Sequence, residues 1–502
     1  MATLELLGQG FLTTLEPTNL LFLVIGVVVG QIIGALPGIG PAAGMALLLP
    51  LTFGMTPVTA IVMLAGIMYG GMYGGTLTSV LVNVPGESSS VMTAVDGYQI
   101  ARRGRAGAAL SIAAIGSFLA GVSAVIATVA VIVPLSEFAL KFNAPEYFLL
   151  ATLGITATAS LGSASAVKAL MAALLGLMIA LIGVDPIVGI PRLTFGIANM
   201  IEGIDFLPVA IGIFGIAEVL SSLERSEEIK PIRTRLRDMW LTSQEWAESR
   251  MAILRGGLVG FFVGIMPGAG PTVAAMMAYV MERRFSRRPE RFGHGALDAV
   301  AAAESANNAA AHGALVPMLA LGIPGSASTA VLLAALILQG IRPGPMLMTE
   351  QPALVWGLIA SMFIGNIVLL IINLPLAPLF ASVLRVPYAY LAPGILVISL
   401  VGAYASTQSF FTVIIALVFG VVGWLMMKLD FPRAPLVLAL VLAPLLETSL
   451  RQSLLFSLGS PMIFIERPLS AALLLCIIIS LVLPIVAAVR RRAARSKNAG
   501  AV

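Results

Sequence analysis

The sequence predicts an all-α polytopic membrane protein of two inverted-topology repeats, each with a re-entrant helical hairpin and a broken helix, in roughly 10–12 transmembrane segments. Three observations carry this reading. The 502 residues are 59% hydrophobic and only 11% charged, against about 25% charged in soluble domains, and the mean hydropathy is +1.02. Apolar runs recur along the chain, for example 107–133, 353–382, 408–427 and 469–489, each long enough for the ~20 residues a helical crossing needs. Two Pro-Gly motifs occur in one half and return in the same order in the other. The continuous runs disfavour a β-barrel, whose strands alternate.

Few residues suit metal or redox chemistry. The single cysteine, Cys476, lies in an apolar run and reads as a small core residue. His294 and His312 are too far apart for a helical i,i+4 metal pair. The N-terminus lacks a basic n-region, so the first apolar run, about 20–35, reads as retained rather than as a cleaved leader.

Charge placement predicts topology. The first basic residue is Arg102, and 20 of the 29 Lys and Arg fall in four clusters, at 102–105, 225–255, 283–291 and 490–497. The positive-inside rule puts these clusters in the cytoplasm, the N-terminus outside and the C-terminus inside. The net charge of +5 thus reflects topology, not nucleic-acid binding. The expected organisation is a first transmembrane repeat at 1–221, a cytoplasmic linker at 222–255, a second repeat at 256–489 and a basic cytoplasmic tail at 490–502.

The repeat is legible as text. "GALPGIGP" around Pro37 returns as "GIMPGAGP" around Pro267, 230 residues on, and "LVNVPGESS" around Pro85 returns as "ALGIPGSAS" around Pro324, 239 residues on. The segment 256–282 has basic residues at both ends. It is too short to cross twice when broken in the middle, so it is expected to enter and leave on the cytoplasmic side. The equivalent 20–54 has none and is expected to enter from outside. Opposed hairpins are the architecture of many secondary transporters, with sites at interrupted helices near the midplane.

Broken helices aim unpaired N–H groups and a positive dipole end at whatever fills the gap, and glycine admits close approach. Pro37, Gly38, Gly40, Pro267, Gly268 and Gly270 are therefore candidates for a backbone anion nest, with Pro41 and Pro271 opening the second half-helices. Unwound carbonyls suit a sodium ion. Near the second pair, Asn83, Pro85, Gly86, Ser88, Ser89, Pro324, Gly325 and Ser326 are candidates; the hydroxyls either coordinate ligand or cap the following helix, Ser88 and Ser326 in N-terminal positions. Glu304, Asn308 and His312 share a helix face with Asn307 beside it, as a site wall, coupling-ion ligands or a structural network. Gly70-Gly71 and Gly74-Gly75 read best as close helix packing.

The orders "PGIGP…YGGMYGG…NVPGE" and "PGAGP…ESANNAAAHG…LGIPG" resemble the large membrane subunit of bacterial tripartite tricarboxylate transporters, over about 20 to 490. The resemblance implies an inner-membrane permease that works with a small membrane subunit and a periplasmic solute-binding protein. It implies import of citrate or another organic carboxylate on a sodium or proton gradient, without a cofactor. It carries site roles onto Pro37, Gly38, Gly40, Asn83, Pro85, Gly86, Pro267, Gly268, Gly270, Asn307, Asn308, Pro324 and Gly325. The chain has no G-x-x-x-x-G-K-[ST] phosphate loop, in keeping with gradient-driven transport. The oligomeric state stays open, a homo-oligomer included. A channel built from paired re-entrant hairpins is the alternative. An intramembrane enzyme is disfavoured, because Asp185 and Asp205 have no partner acid in a recognisable motif.

Overall fold

Helices approach closely in lipid only where small residues line the contact, and each half of this chain supplies them at four-residue spacing. The computed structural model describes residues 2–36, 38–161, 165–224, 232, 236–383 and 388–482. Pro37, most of 225–235 and the tail 490–502 lie outside the described residues. Two compact units form, Met1–Leu140 with Asp205–Asp430 and Lys141–Ile204 with Phe431–Val502. Each unit draws on both halves of the sequence.

The first unit begins with α1 (Ala2–Leu15), α2 (Pro17–Gly34), α3 (Pro41–Leu48), α4 (Pro57–Val82), α5 (Val91–Ile100) and α6 (Ala106–Ala139). Prolines open α2, α3 and α4 at positions that need no donor. Gly26, Gly30 and Gly34 of α2 face α4 so closely that a β-carbon would lie 2.2, 2.4 and 2.2 Å from the carbonyl oxygens of Met63, Ile67 and Gly71. Gly70 and Gly74 of α4 return the contact, facing the carbonyls of Val27 and Gln31. The glycine pairs are packing residues.

In the second unit, α7 (Ala144–Leu161) and α8 (Ala166–Ala180) lead to a short hairpin of β1 (Gly183–Val184) and β2 (Pro191–Arg192). The chain then returns to the first unit with α9 (Phe206–Leu223), whose middle winds as a π-helix at Ile211–Ile216. The second half follows: α10 (Ser243–Ile265), α11 (Gly270–Phe285), α12 (Leu297–Gly313), α13 (Leu315–Leu321), α14 (Ala327–Leu338) and α15 (Pro352–Asn373). A capping box of Thr242 and Glu245 starts α10, so this helix opens inside the polar segment read as linker. Gly256, Gly260 and Gly264 face the carbonyls of Ala302, Ala306 and Ala310, with β-carbon distances of 2.5, 2.3 and 2.5 Å. These positions are the first-half set displaced by 230 on one helix and 239 on its partner, the two spacings of the repeated motifs.

The arms α10 and α11 are antiparallel. Arg255 grips Glu282 with two bonds, Nε to Oε2 at 2.8 Å and Nη2 to Oε1 at 2.6 Å, so the open ends meet while the break 266–269 forms the tip. Two exchanges then cross between halves: α6 packs on α12 while α15 packs on α4, and α14 packs on α3 while the turn at 88–90 packs on α11. Reciprocal contacts of this kind are what a two-fold relation generates. Asp96 of α5 accepts bonds from the N–H groups of Gly293, Gly295 and Ala296 and from the Tyr279 hydroxyl, capping α12 from the other half.

The first unit closes with α16 (Tyr388–Thr407) and α17 (Phe410–Lys428), and the second with α18 (Ala434–Phe456) and α19 (Pro468–Val482). Among the described residues, seven helices are long and apolar enough to span a bilayer, with five shorter apolar helices beside them. The apolar run 353–382 is not one helix; α15 ends at Asn373 and a second helix occupies Ala377–Val383. Cys476 is exposed on α19, not a core residue, because in lipid the outer face of a helix is as apolar as its inner one. In the second unit α18 packs on α7 and α8. Asp185 is committed to an ion-pair network, with Arg451 at 2.9 and 2.8 Å, Arg192 at 3.3 Å and Glu447 completing the group.

Gly30→Val and Gly260→Val should each destabilise the detergent-solubilised protein by ~2 kcal/mol or more, read as loss of a monodisperse peak and a lower Tm. Gly8→Val, where a β-carbon meets nothing within 4 Å, should leave both unchanged. The Arg451 guanidinium, followed by the Val188 and Ile187 N–H groups, holds the Asp185 carboxyl well below the usual carboxylate range. The stabilisation is therefore fully present above about pH 4, the ordinary aspartate value, and is lost as pH falls through the folded value. Asp185→Asn should lower thermal stability at neutral pH and flatten its acid dependence.

Candidate functional site

Each Pro-Gly segment forms where a helix can no longer continue. In the first half α4 ends on Asn83, in the left-handed region at φ 61°, and in the second α13 ends on Gly322 at φ 73°. Each is followed by x-Pro-Gly and a capping box, Glu87 with Ser90 and Ser326 with Thr329. The hairpin tips match as well, with Gly38 at φ 87° and Gly268 at φ 81°. Left-handed backbone at the tips demands glycine.

These four breaks converge. The Gly38 N–H donates to the Gly86 carbonyl at 3.2 Å, joining the first hairpin tip to the first Pro-Gly segment. A β-carbon on Gly86 would lie 2.2 Å from the Gly34 carbonyl and one on Gly325 3.0 Å from the Gly264 carbonyl, so each second segment seats on its own hairpin. Gly270 faces Ser326, 3.5 Å from a β-carbon to Cβ. Across the halves, the Ser88 and Thr272 hydroxyls are 2.8 Å apart. Gly38, Gly40, Gly86, Ser88, Gly270, Gly325 and Ser326 are thus neighbours or neighbours of neighbours. Pro85, Ser89, Pro267, Gly268 and Pro324 are part of the same segments, and Asn83 is exposed at the end of α4.

The hydroxyls divide in role. Ser326 is the N-cap of α14 and accepts from Thr329 N–H at 3.2 Å. In the first half the cap falls on Glu87, not Ser88, because the 3₁₀ turn Ser88–Ser90 begins three residues after Pro85, as α14 begins three after Pro324, and Glu87 stands in the place of Ser326. Ser88 is left to reach Thr272, and Ser89 donates to the Glu87 carboxylate. The expectation that Ser88 caps a helix is corrected by this turn.

Asn307 and Asn308 are buried on α12, within a side-chain network spanning both halves. Asn308 donates to Ser117 at 2.8 Å and to Asn307 Oδ1 at 2.6 Å, and Asn307 donates to Glu304 at 3.4 Å. His312 has both ring nitrogens engaged, Nδ1 with the Asn308 carbonyl at 2.8 Å and Nε2 with the Asn366 amide at 3.0 Å, and Tyr69 stacks on the ring. A carbonyl at Nδ1 and an amide N–H at Nε2 fit the neutral Nδ1–H tautomer.

Sequence reasoning missed Glu218. This carboxylate, buried on α9 just past the π-helical turn, rests on the first hairpin tip, where a β-carbon on Gly38 would overlap its Oε1 at 1.9 Å. The Glu87 side chain approaches Gly40 and Gly75 from the other side. The available signal was an acid inside the apolar stretch 206–223. The first tip is therefore flanked by two carboxylates, while the second has the hydroxyls of Ser88, Thr272 and Ser326 and the N-termini of α11 and α14. In a background with Cys476→Ser, the pair Ser88→Cys and Thr272→Cys should form an intramolecular disulfide on mild oxidation, seen as a gel shift reversed by reductant. Absence of that bond would contradict the convergence of the two halves.

Comparison with known proteins gives the family. The profile of the tripartite tricarboxylate transporter TctA family matches residues 20–438. An uncharacterised 52.8 kDa protein from the TAR-I region of Agrobacterium vitis is 43% identical over 408 residues, covering 80% of this chain and 81% of the relative. An uncharacterised protein from the TAR-II region of the same organism is 43% identical over 226 residues, 44% of this chain and 93% of the relative. No solved structure matches. The chain is a multi-pass membrane protein and belongs to the TctA family of tripartite tricarboxylate transporters, as their large membrane subunit.

Proposed function

We propose that this chain is the permease of a binding-protein-dependent secondary transporter, importing an organic carboxylate by alternating access on a sodium or proton gradient. The observation that carries the reading is the convergence of four helix breaks, two from each half, at the Ser88–Thr272 contact. Breaking four helices in a bilayer is costly unless the freed backbone groups face a cavity or ligand. The reciprocal packing of the halves supports a two-fold relation, and the charge map, with basic residues flanking only the second hairpin, supports an axis in the membrane plane. On this reading the N-terminus is periplasmic, the C-terminus cytoplasmic and the membrane the bacterial inner membrane.

The two tips differ in their side chains, which supports a different ligand for each. At the first tip a substrate carboxylate meets the acidic side chains of Glu87 and Glu218. It fits the second, where the N-terminal ends of α11 and α14 supply positive dipole ends and N–H groups, and Ser88, Thr272 and Ser326 supply hydroxyls. The small membrane subunit and the periplasmic binding protein complete the transporter, with substrate choice resting largely on the latter.

The test is uptake of radiolabelled citrate, succinate or malate into proteoliposomes holding both membrane subunits, with binding protein outside and sodium and proton gradients imposed separately. Saturable accumulation that follows one gradient is expected. Non-saturating flux indifferent to both would replace the transporter with a channel. Gly268→Val, which strains a left-handed tip, should abolish uptake while membrane insertion persists.

A further inference from the structure

Glu304 differs from the buried carboxylates of Asp185, Glu282, Glu146 and Asp96. Asp185, Glu282 and Glu146 each face an arginine, and Asp96 receives three backbone N–H groups. Glu304 is fully buried in the middle of α12, and its partners among the described residues are all neutral: the hydroxyls of Thr93 and Thr76, the latter at 2.8 Å, and the Asn307 amide at 3.4 Å. No lysine or arginine stands within ion-pair distance of it among those residues. An ionised carboxylate without a cation is expensive in such surroundings, whereas a protonated one donates to a threonine hydroxyl, which accepts as readily as it donates. The site accommodates both states by rotating one hydroxyl.

We propose that Glu304 carries the coupling proton of this transporter, an inference that rests on the transport reading above. The proton adds to a Glu304 carboxylate oxygen from water while the site is open to one side and leaves that oxygen to water on the other. One O–H bond forms and one breaks, with no change of oxidation state. The position suits the task. Thr76 follows Gly75, which packs on Gly86 and Glu87 of the site, so the carboxyl is one residue removed from the Pro-Gly segment.

Few titratable groups face Glu304. On α4 and in the 83–90 segment, Tyr73 and Glu87 are the titratable side chains that feel its charge. On α5 it meets Thr93, while Asp96 is committed to the 293–296 backbone. On α6 the facing group is Ser117, which is neutral, and on α10 and α11 Arg255 and Glu282 pair with each other. On α12 itself, His312 has both nitrogens occupied and Asp298 accepts from Ser286.

The experiment uses the complete transporter in proteoliposomes and compares wild type with Glu304→Gln and Glu304→Asp. Infrared difference spectra of wild type between about pH 5 and about pH 9 should contain a carboxylic-acid carbonyl band that is lost at high pH and is absent from Glu304→Gln. In citrate assays Glu304→Gln should keep citrate–citrate exchange and lose proton-driven accumulation, with Glu304→Asp restoring part of it. Three results overturn the proposal: no titrating band assignable to Glu304, proton- or sodium-driven accumulation intact in Glu304→Gln, or loss of exchange together with accumulation in a folded variant. If wild type neither accumulates nor exchanges citrate, the transport reading fails for that substrate, and the infrared titration decides the proton site alone.

Discussion

The fold depends on contact between glycine faces and carbonyl oxygens. In each half three glycines one turn apart bring a helix against its neighbour until carbonyl oxygens occupy the space of absent β-carbons. Lipid supplies no hydrophobic drive for one helix to prefer another over solvent tails, so this close approach, with its dispersion contacts and weak Cα–H···O bonds, has to hold the pair together. Because α2 is locked onto α4 and α10 onto α12, the breaks that follow α2 and α10 are delivered beside the breaks that end α4 and α13. Loosening the glycine faces would separate the site.

The pairing of the two halves then does what neither does alone. One half contains a hairpin tip and a Pro-Gly segment, joined through Gly38 and Gly86 or through Gly270 and Ser326. The reciprocal packing of α6 on α12 and α15 on α4 brings the two sets together, with the Ser88–Thr272 contact at the join. The halves have also diverged where it matters chemically. Glu87 and Glu218 lie at one tip, and the hydroxyls of Ser88, Thr272 and Ser326 lie at the other. The polar face of α12 ties the same join to α5, α6 and α15 through Glu304, Asn308 and His312.

Much was legible in the sequence because it was written in residue type. Composition and apolar runs determine a helical membrane protein, since a bilayer admits few other solutions. Proline and glycine mark where helices stop, since their backbone limits act locally, and the paired motifs at spacings of 230 and 239 residues mark breaks in both halves. The broken-helix tips, the N-terminal prolines of the half-helices and the packing role of Gly70 and Gly74 followed from those local rules.

Only the tertiary structure decided which side chains meet. Glu218 meets Gly38 from more than a hundred residues away, and an acid inside the apolar stretch 206–223 does not say which residue it will meet. The engaged nitrogens of His312 and the ion-pair network that takes Asp185 are likewise settled by neighbours brought from other helices. Secondary structure in a membrane is dictated by the residue and its solvent, so the sequence by itself determines it. The partner of a polar side chain is dictated by helix packing across the two halves, and that exists only once the chain has folded.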